Sequence, residues 1–174
     1  MNHLAIDVET LSLRENAHIL SIGAAFFCPR SKKIGHSFHV VIDMGVEQEG
    51  AHISASTVAW WFGQNVARDG LLIGEQLELG EALRFFCAWI DRHVTPNTDL
   101  KIYQQGSLDS LWLNNAGARN GVKMPWVYRN VFCARTLWEH AGGVPVGFVE
   151  FDGVAHNALD DAFFVANRML EVVK

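Results

Sequence analysis

The chain has 174 residues, of which 49% are hydrophobic and 19% charged, and its formal net charge at pH 7 is −5. These values are typical of a globular protein with a sizeable core, and we expect one domain over residues 1–174. They argue against a general nucleic-acid coat protein, and no apolar run is long enough to predict a membrane span.

The first third of the chain predicts three β-strands, over residues 4–9, 19–28 and 37–43. Pro29 ends the second strand, because proline cannot donate to the ladder of a strand interior. The polar turn at residues 30–33 joins the second and third strands, which we therefore expect to pair antiparallel.

The first strand carries two carboxylates, Asp7 and Glu9, near its C-terminal end. Because side chains alternate along a strand, both point to one face, and the apolar residues Leu4, Ile6 and Val8 point to the other. Adjacent negative charges repel each other, and a divalent cation held between them removes that repulsion. The triplet therefore indicates either the beginning of a two-metal phosphodiesterase site or the solvated face of an edge strand.

After residue 43 the apolar residues recur at helical spacing. We expect a helix that begins near Ser54 or Ser56 and includes Val66. We expect a second helix over residues 79–93, and Pro96 and Asn97 then interrupt the helical pattern. The later segments predict a strand over 100–103, a helix over 107–119, a strand over 131–134 and a helix over 157–172. This order predicts an α/β fold in which helices cover both faces of a mixed sheet, as in the ribonuclease H-like fold.

Further acids follow the predicted strands. Asp109 begins the helix after the fourth strand, where it either favours the helix dipole or converges with Glu9 at one edge of the sheet. His156 precedes the last helix, and Asp160 and Asp161 lie in its opening turns. The expected core stripe of that helix does not decide between the two aspartates, and it contains Leu159, Ala162, Phe163, Ala166, Leu170 and Val173.

Three segments together resemble the motifs of the DEDD superfamily of 3′–5′ exonucleases, DEDDh subclass. These are Asp7-Val8-Glu9-Thr10, Gly106-Ser107-Leu108-Asp109 and His156-Asn157-Ala158-Leu159-Asp160-Asp161. The resemblance implies a ribonuclease H-like fold, release of nucleoside 5′-monophosphates from a 3′ end, and His156 as the general base. It implies four ligands to two Mg²⁺ or Mn²⁺ ions, namely Asp7, Glu9, Asp109 and Asp161.

Two further segments are similar to a narrower group of phage exonuclease A-type proteins and a mycobacterial exoribonuclease. They are Trp60-Trp61-Phe62-Gly63-Gln64 and Cys133-Ala134-Arg135-Thr136. The resemblance to the DEDD superfamily implies that Thr10 and Leu11 lie beside the terminal nucleotide. We also expect substrate contacts from Trp61 and Gln64. Adjacent helical residues point about 100° apart, so one of Trp60 and Trp61 is buried and the other can stack on a base.

Two other functions fit the same pattern of acids. One is a ribonuclease H-type endonuclease, and the other is an inactive nucleic-acid-binding module on the same fold. The sequence does not distinguish a DNA from an RNA substrate, and it leaves open a homodimer. The three widely spaced cysteines and the acid-bearing first strand fit a cytoplasmic protein without disulfides or a signal peptide.

Overall fold

A computed structural model describes residues 1–142 and 151–173. It contains a six-stranded sheet in which the strands lie in the spatial order β4-β3-β2-β1-β5-β6. The strands are β1 (His3–Thr10), β2 (Ile19–Cys28), β3 (Lys33–Ile42), β4 (Gln76–Leu77), β5 (Lys101–Gln104) and β6 (Val131–Cys133). The helices are α1 (Ala55–Trp61), α2 (Asn65–Gly70), α3 (Leu79–His93), α4 (Asp109–Arg119), α5 (Ala134–His140) and α6 (Ala158–Val172), with a 3-10 turn at Tyr128–Asn130.

The sheet is mixed, as predicted. Strands β1, β2 and β3 form an antiparallel meander, and β5 and β6 continue the sheet parallel to β1. Parallel neighbours require crossover connections, which α4 provides between β5 and β6. The predicted α/β fold of ribonuclease H-like order is therefore confirmed.

Helices cover both faces of the sheet, because alternate side chains of β1 contribute apolar surface to opposite faces. Leu4, Ile6 and Val8 belong to a core cluster that also contains the inner faces of α3 and α4. Ala5 belongs to a second cluster, on the opposite face, which α5 and α6 cover. Asp7 and Glu9 alternate with the first set, so they lie on the α6 side of the sheet.

One predicted helix differs from the structure, and two observed elements, β4 and α5, were not predicted. The single helix expected after Ser54 is two short helices, α1 and α2, with Gly63 in the turn between them. Strand β4 has only two residues, which is too short to show an alternating pattern. Helix α5 follows β6 without an intervening turn, so no boundary signal marked it.

The buried stripe of α6 also differs from the prediction. Leu159 and Phe163 are only partly buried, whereas Val165 and Met169 are fully buried. Within the described ranges, no helix combines the length and apolar character needed to cross a membrane.

Candidate active site

The two carboxylates of β1 lie at the C-terminal edge of the sheet, beside Asp109 and Asp161. Burial, followed by the negative charges of Asp109, Glu9 and Asp161, raises the pKa of Asp7 well above its ordinary value. Burial and the charges of Asp161 and Asp109 raise the pKa of Glu9 to about 8. The shifts agree with the geometry, in which the four carboxylates line one cleft and repel each other there.

Asp109 reaches this volume because the chain turns sharply after β5. Gly106 has a φ of 120°, a backbone conformation that side-chain-bearing residues rarely adopt. Asp109 follows as the first residue of α4, and its Oδ1 accepts a hydrogen bond of 3.1 Å from the backbone N–H of Val8. Burial raises the pKa of Asp109 to about 7, although the Val8 hydrogen bond opposes the shift.

The beginning of α6 lies directly on strand β2, where Gly23 provides the necessary space. A Cβ atom added to Gly23 would lie 2.1 Å from both the carbonyl carbon and the carbonyl oxygen of Ala158. Real Cβ atoms do not approach backbone this closely, so any larger residue at this position would displace the first turn of α6. The close approach brings Asp161, which is in this turn, to the face that carries Glu9.

The two aspartates of α6 have different surroundings. Asp161 lines the cleft, and its Oδ2 accepts a hydrogen bond of 2.8 Å from the backbone N–H of His156. Asp160 instead accepts a bond of 2.8 Å from the backbone of Val154. The side chain of Asn157 caps the helix, accepting from the N–H groups of its first turn, so the aspartates are not needed as the N-cap.

The structure thus brings together all five residues expected to act in catalysis. They line a cleft of about 420 Å³, whose lining includes Asp7, Glu9, Asp109, Asp161, His156 and Arg135. One ligand atom from each of Glu9, His156 and Asp161 lies within 4.8 Å of the others, the spacing at which a single cation can be bound.

The donor set of this cleft fits a divalent cation. Across residues 1–142 and 151–173, the ion pair formed within 4.0 Å is Arg68–Asp69, so no described cation pairs with the four clustered carboxylates. Buried carboxylates without a counter-charge are energetically costly. Oxygen ligands of this kind are those that Mg²⁺ and Mn²⁺ prefer in proteins.

Of the four residues expected to contact substrate, two line a cavity beside the acidic cleft and two do not. Thr10 and Trp61 line a second cavity of about 350 Å³ that adjoins the acidic cleft through Val8, Glu9 and Trp112. Leu11 packs instead against the apolar cluster around Trp61, and it does not line either cavity. Gln64 lies in the turn between α1 and α2 and is likewise absent from both linings.

The structure distinguishes the adjacent tryptophans. Trp61 is 4% exposed, and its Nε1 donates a hydrogen bond of 2.9 Å to the carbonyl of Thr10. Trp60 is 43% exposed, and its ring meets the His156 ring edge to face at a centroid distance of 4.8 Å. Trp60 is therefore the tryptophan with a free face for stacking, whereas Trp61 mainly anchors α1 to β1.

The cavity-lining residues that the sequence did not indicate as site residues include Arg135, Leu13 and Trp112. Trp112 lies three residues after Asp109 on α4, so helical spacing places both on one side of the helix and could have indicated it. Arg135 was noticed only as part of a motif. Leu13 follows Leu11 in an irregular loop, where no periodic pattern predicts the direction of a side chain.

Comparison with known proteins gives one family and a set of related folds. The family model described as a 3′–5′ exoribonuclease Rv2179c-like domain matches residues 2–173. A search of curated protein sequences gives no significant match.

Solved structures of low sequence identity share the fold. The nuclease domain of 3′hExo, described as a DEDDh family member bound to rAMP, has 16% identity and a TM-score of 0.64, with 97% of this chain and 90% of that chain covered. The Mg²⁺- and Mn²⁺-bound form of S. pombe Pop2p has 9% identity and a TM-score of 0.62, with coverage of 98% and 82%. E. coli exonuclease I in complex with a dT13 oligonucleotide has 11% identity and a TM-score of 0.68, with coverage of 98% and 40%.

The family match extends over nearly the whole described chain, including the three motifs that carry Asp7, Asp109 and Asp161. The interpretation of the sequence as a DEDD-type exonuclease is thereby confirmed. The chain belongs to the family of Rv2179c-like 3′–5′ exoribonuclease domains.

Proposed function

We propose that this 3′–5′ exonuclease removes nucleoside 5′-monophosphates from the 3′ end of single-stranded nucleic acid with the help of two Mg²⁺ or Mn²⁺ ions. The observation that carries the proposal is the group of four carboxylates in one cleft, without a described cation to neutralise them. The family description supports the polarity of the reaction. The metal-bound form of Pop2p and the oligonucleotide-bound form of exonuclease I support the cofactor and the single-stranded substrate.

Asp7, Glu9, Asp109 and Asp161 would hold the metal ions. When bound in such a site, divalent ions activate water for attack on phosphorus and stabilise the charge on the leaving oxygen. The protein's part is to hold the carboxylates in position before the ions bind. The Val8 N–H does this for Asp109, and the His156 N–H does it for Asp161.

His156 would accept the proton of the attacking water. Its imidazole lines the cleft beside Glu9 and Asp161, and a neutral imidazole nitrogen is a suitable base near pH 7. The backbone of His156 lies in the left-handed region, with a φ of 66°, which is uncommon for a residue with a side chain. Such a conformation is frequent at functional sites, where the surrounding structure maintains it.

The terminal nucleotide would occupy the cavity that adjoins the acidic cleft. Leu13 and Trp60 provide exposed apolar surface there, and the hydroxyl groups of Ser56 and Thr57 provide hydrogen-bonding groups. Arg135 lies on the wall of the acidic cleft and is exposed, so it is available to pair with a phosphate of the bound strand.

The experiment that tests this function is digestion of matched 5′-labelled DNA and RNA oligonucleotides with Mg²⁺ or Mn²⁺. We expect a ladder that shortens from the 3′ end, and no degradation of a circular strand or of a strand that ends in a 3′-phosphate. Immediate release of labelled mononucleotide would contradict the polarity. Cleavage of the circle would indicate the ribonuclease H-type endonuclease, and binding without cleavage would indicate the inactive module.

Two further properties belong to the proposal. A cytoplasmic location is supported by the three cysteines, all of which are free thiols in the structure. A homodimer is proposed because members of the family that the sequence resembles are often dimers, and light scattering on the purified protein would measure the mass directly.

A further inference from the structure

Trp60 contacts both the expected general base and the cavity expected to hold the terminal nucleotide. We propose that Trp60 is a positioning residue that holds the imidazole of His156 in its catalytic orientation, and that a nucleotide in the adjoining cavity strengthens this contact. The inference rests on the proposed function, because it assumes that His156 acts as the base.

The backbone of His156 is fixed, but its ring has few polar contacts. The N–H of His156 donates to Asp161, whereas no described residue forms a hydrogen bond with either ring nitrogen. A catalytic or metal-binding histidine is commonly oriented by a carboxylate or carbonyl on its second nitrogen. In the described part of this chain, the ring of Trp60 takes that place, with its plane at 82° to the imidazole.

Trp60 is itself held against the strand that carries the metal-binding acids. Its ring packs edge to face on Trp61, at a centroid distance of 5.2 Å and an angle of 78°. Trp61 is buried and donates to the carbonyl of Thr10, the residue that follows Glu9 on β1. A continuous series of contacts therefore sets the position of the His156 ring relative to Glu9.

The indole of Trp60 also borders the second cavity, together with Leu13 and Thr10. It is 43% exposed, so a base that enters this cavity covers surface that solvent otherwise contacts. Stacking then restricts the motion of Trp60, and through it the motion of the imidazole. Binding of the nucleotide and alignment of the base would in this way depend on one side chain.

A double-mutant cycle tests the inference. We expect Trp60→Ala to lower kcat about 5- to 20-fold and to raise KM in the wild-type background, and Trp60→Phe to recover most of the loss in kcat. In the His156→Ala background, Trp60→Ala should still raise KM but should leave kcat unchanged. Phe62→Ala is the matched control, because Phe62 is an exposed aromatic residue of the same segment that lines neither cavity.

The outcomes separate the inference from the proposed function. If Trp60→Ala lowers kcat equally in both backgrounds, Trp60 does not act through His156 and the inference is wrong. If His156→Ala alone keeps wild-type turnover, the proposed base role is wrong instead, and this result is obtained without any change at Trp60.

A second measurement is independent of activity. Edge-to-face contact with an indole shifts the imidazole ¹H resonances of His156, which the spectrum of His156→Ala identifies among the 8 histidines of the chain. We expect Trp60→Leu, which keeps apolar volume, to remove this shift, and adenosine 5′-monophosphate to change it in the wild type only. An unchanged His156 resonance in Trp60→Leu would overturn the inference.

Discussion

Gly23 lies directly opposite Asp7 in the β1–β2 ladder and directly beneath the carbonyl of Ala158 in the first turn of α6. Gly23, which has no side chain, therefore contacts both β1, which bears two of the acids, and α6, which bears a third. The absence of a Cβ at this position determines how closely Asp161 can approach Glu9.

We predict that Gly23→Ala displaces the start of α6, destabilises the protein by about 1–3 kcal/mol and weakens Mn²⁺ binding. Thermal unfolding and calorimetry would measure the two effects. Gly117→Ala is the matched control, because a Cβ there would lie 2.4 Å from the carbonyl of Val122, away from the acidic cleft. The control should lose stability but retain Mn²⁺ affinity, and equal Mn²⁺ affinities in both variants would refute the positioning role of Gly23.

Asp7→Asn should abolish turnover, because it removes one of the proposed metal ligands, and it should stabilise the metal-free protein. The negative charge of Asp7 is buried among three other acids, so its removal relieves repulsion. We expect a gain of about 1–2 kcal/mol, or roughly 2–8 °C in Tm for a domain of this size, in the presence of chelator. The exposed Asp91→Asn serves as the control, and a lower Tm for Asp7→Asn would contradict the prediction.

Without metal, the stability of the protein should fall as the pH rises. The folded pKa of Glu9 is about 8, against an ordinary value of 4.5, and that of Asp109 is about 7, against 3.8. Acids with raised folded pKa values bind more protons in the folded state, so stability is lost between about pH 4 and pH 8. Urea unfolding with chelator at pH 5.5 and 8 would measure this loss, and added Mg²⁺ should reverse it at pH 8. Equal or greater stability at pH 8 in chelator would be inconsistent with a buried acidic cluster.

His156→Ala should reduce kcat by roughly 10² to 10⁴ and change KM little, because a general base contributes mainly in the transition state. The imidazole of His156 lies close to Glu9 and Asp161, which also fits a second interpretation, in which the imidazole is itself a metal ligand. Calorimetry with Mn²⁺ separates the two. Nearly unchanged affinity supports the base, and a marked loss of affinity would make His156 a ligand.

Arg135→Ala should raise KM and reduce the dependence of KM on salt concentration, because the proposed contact with phosphate is lost. Arg135→Lys keeps the charge but not the bidentate geometry, so we expect an intermediate KM. Arg92→Ala, an exposed arginine at the end of α3, is the control. An unchanged KM and salt dependence for Arg135→Ala would show that Arg135 does not contact the substrate.

Local patterns predicted most of the elements and the order in which the acids occur. The alternation of β1 placed Asp7 and Glu9 on one face, and the structure covers the opposite face with α3 and α4. The 15 residues of α3 were predicted with their observed bounds because its apolar period is regular. Signals of this kind depend only on neighbours in the chain, so the sequence contains them in full.

The tertiary structure decided what depends on distant contacts. Helical periodicity could not choose between Asp160 and Asp161, which differ in whether they face Val154 or the cleft. It could not decide between Trp60 and Trp61 either, because the carbonyl of Thr10, about fifty positions earlier in the chain, holds Trp61 inside. Leu13 and Trp112 meet in one cavity only when the β1–β2 loop and α4 come together. Such relationships follow from the packing of α1, α4 and α6 on the sheet, and a pattern along the chain does not record which residues packing brings together.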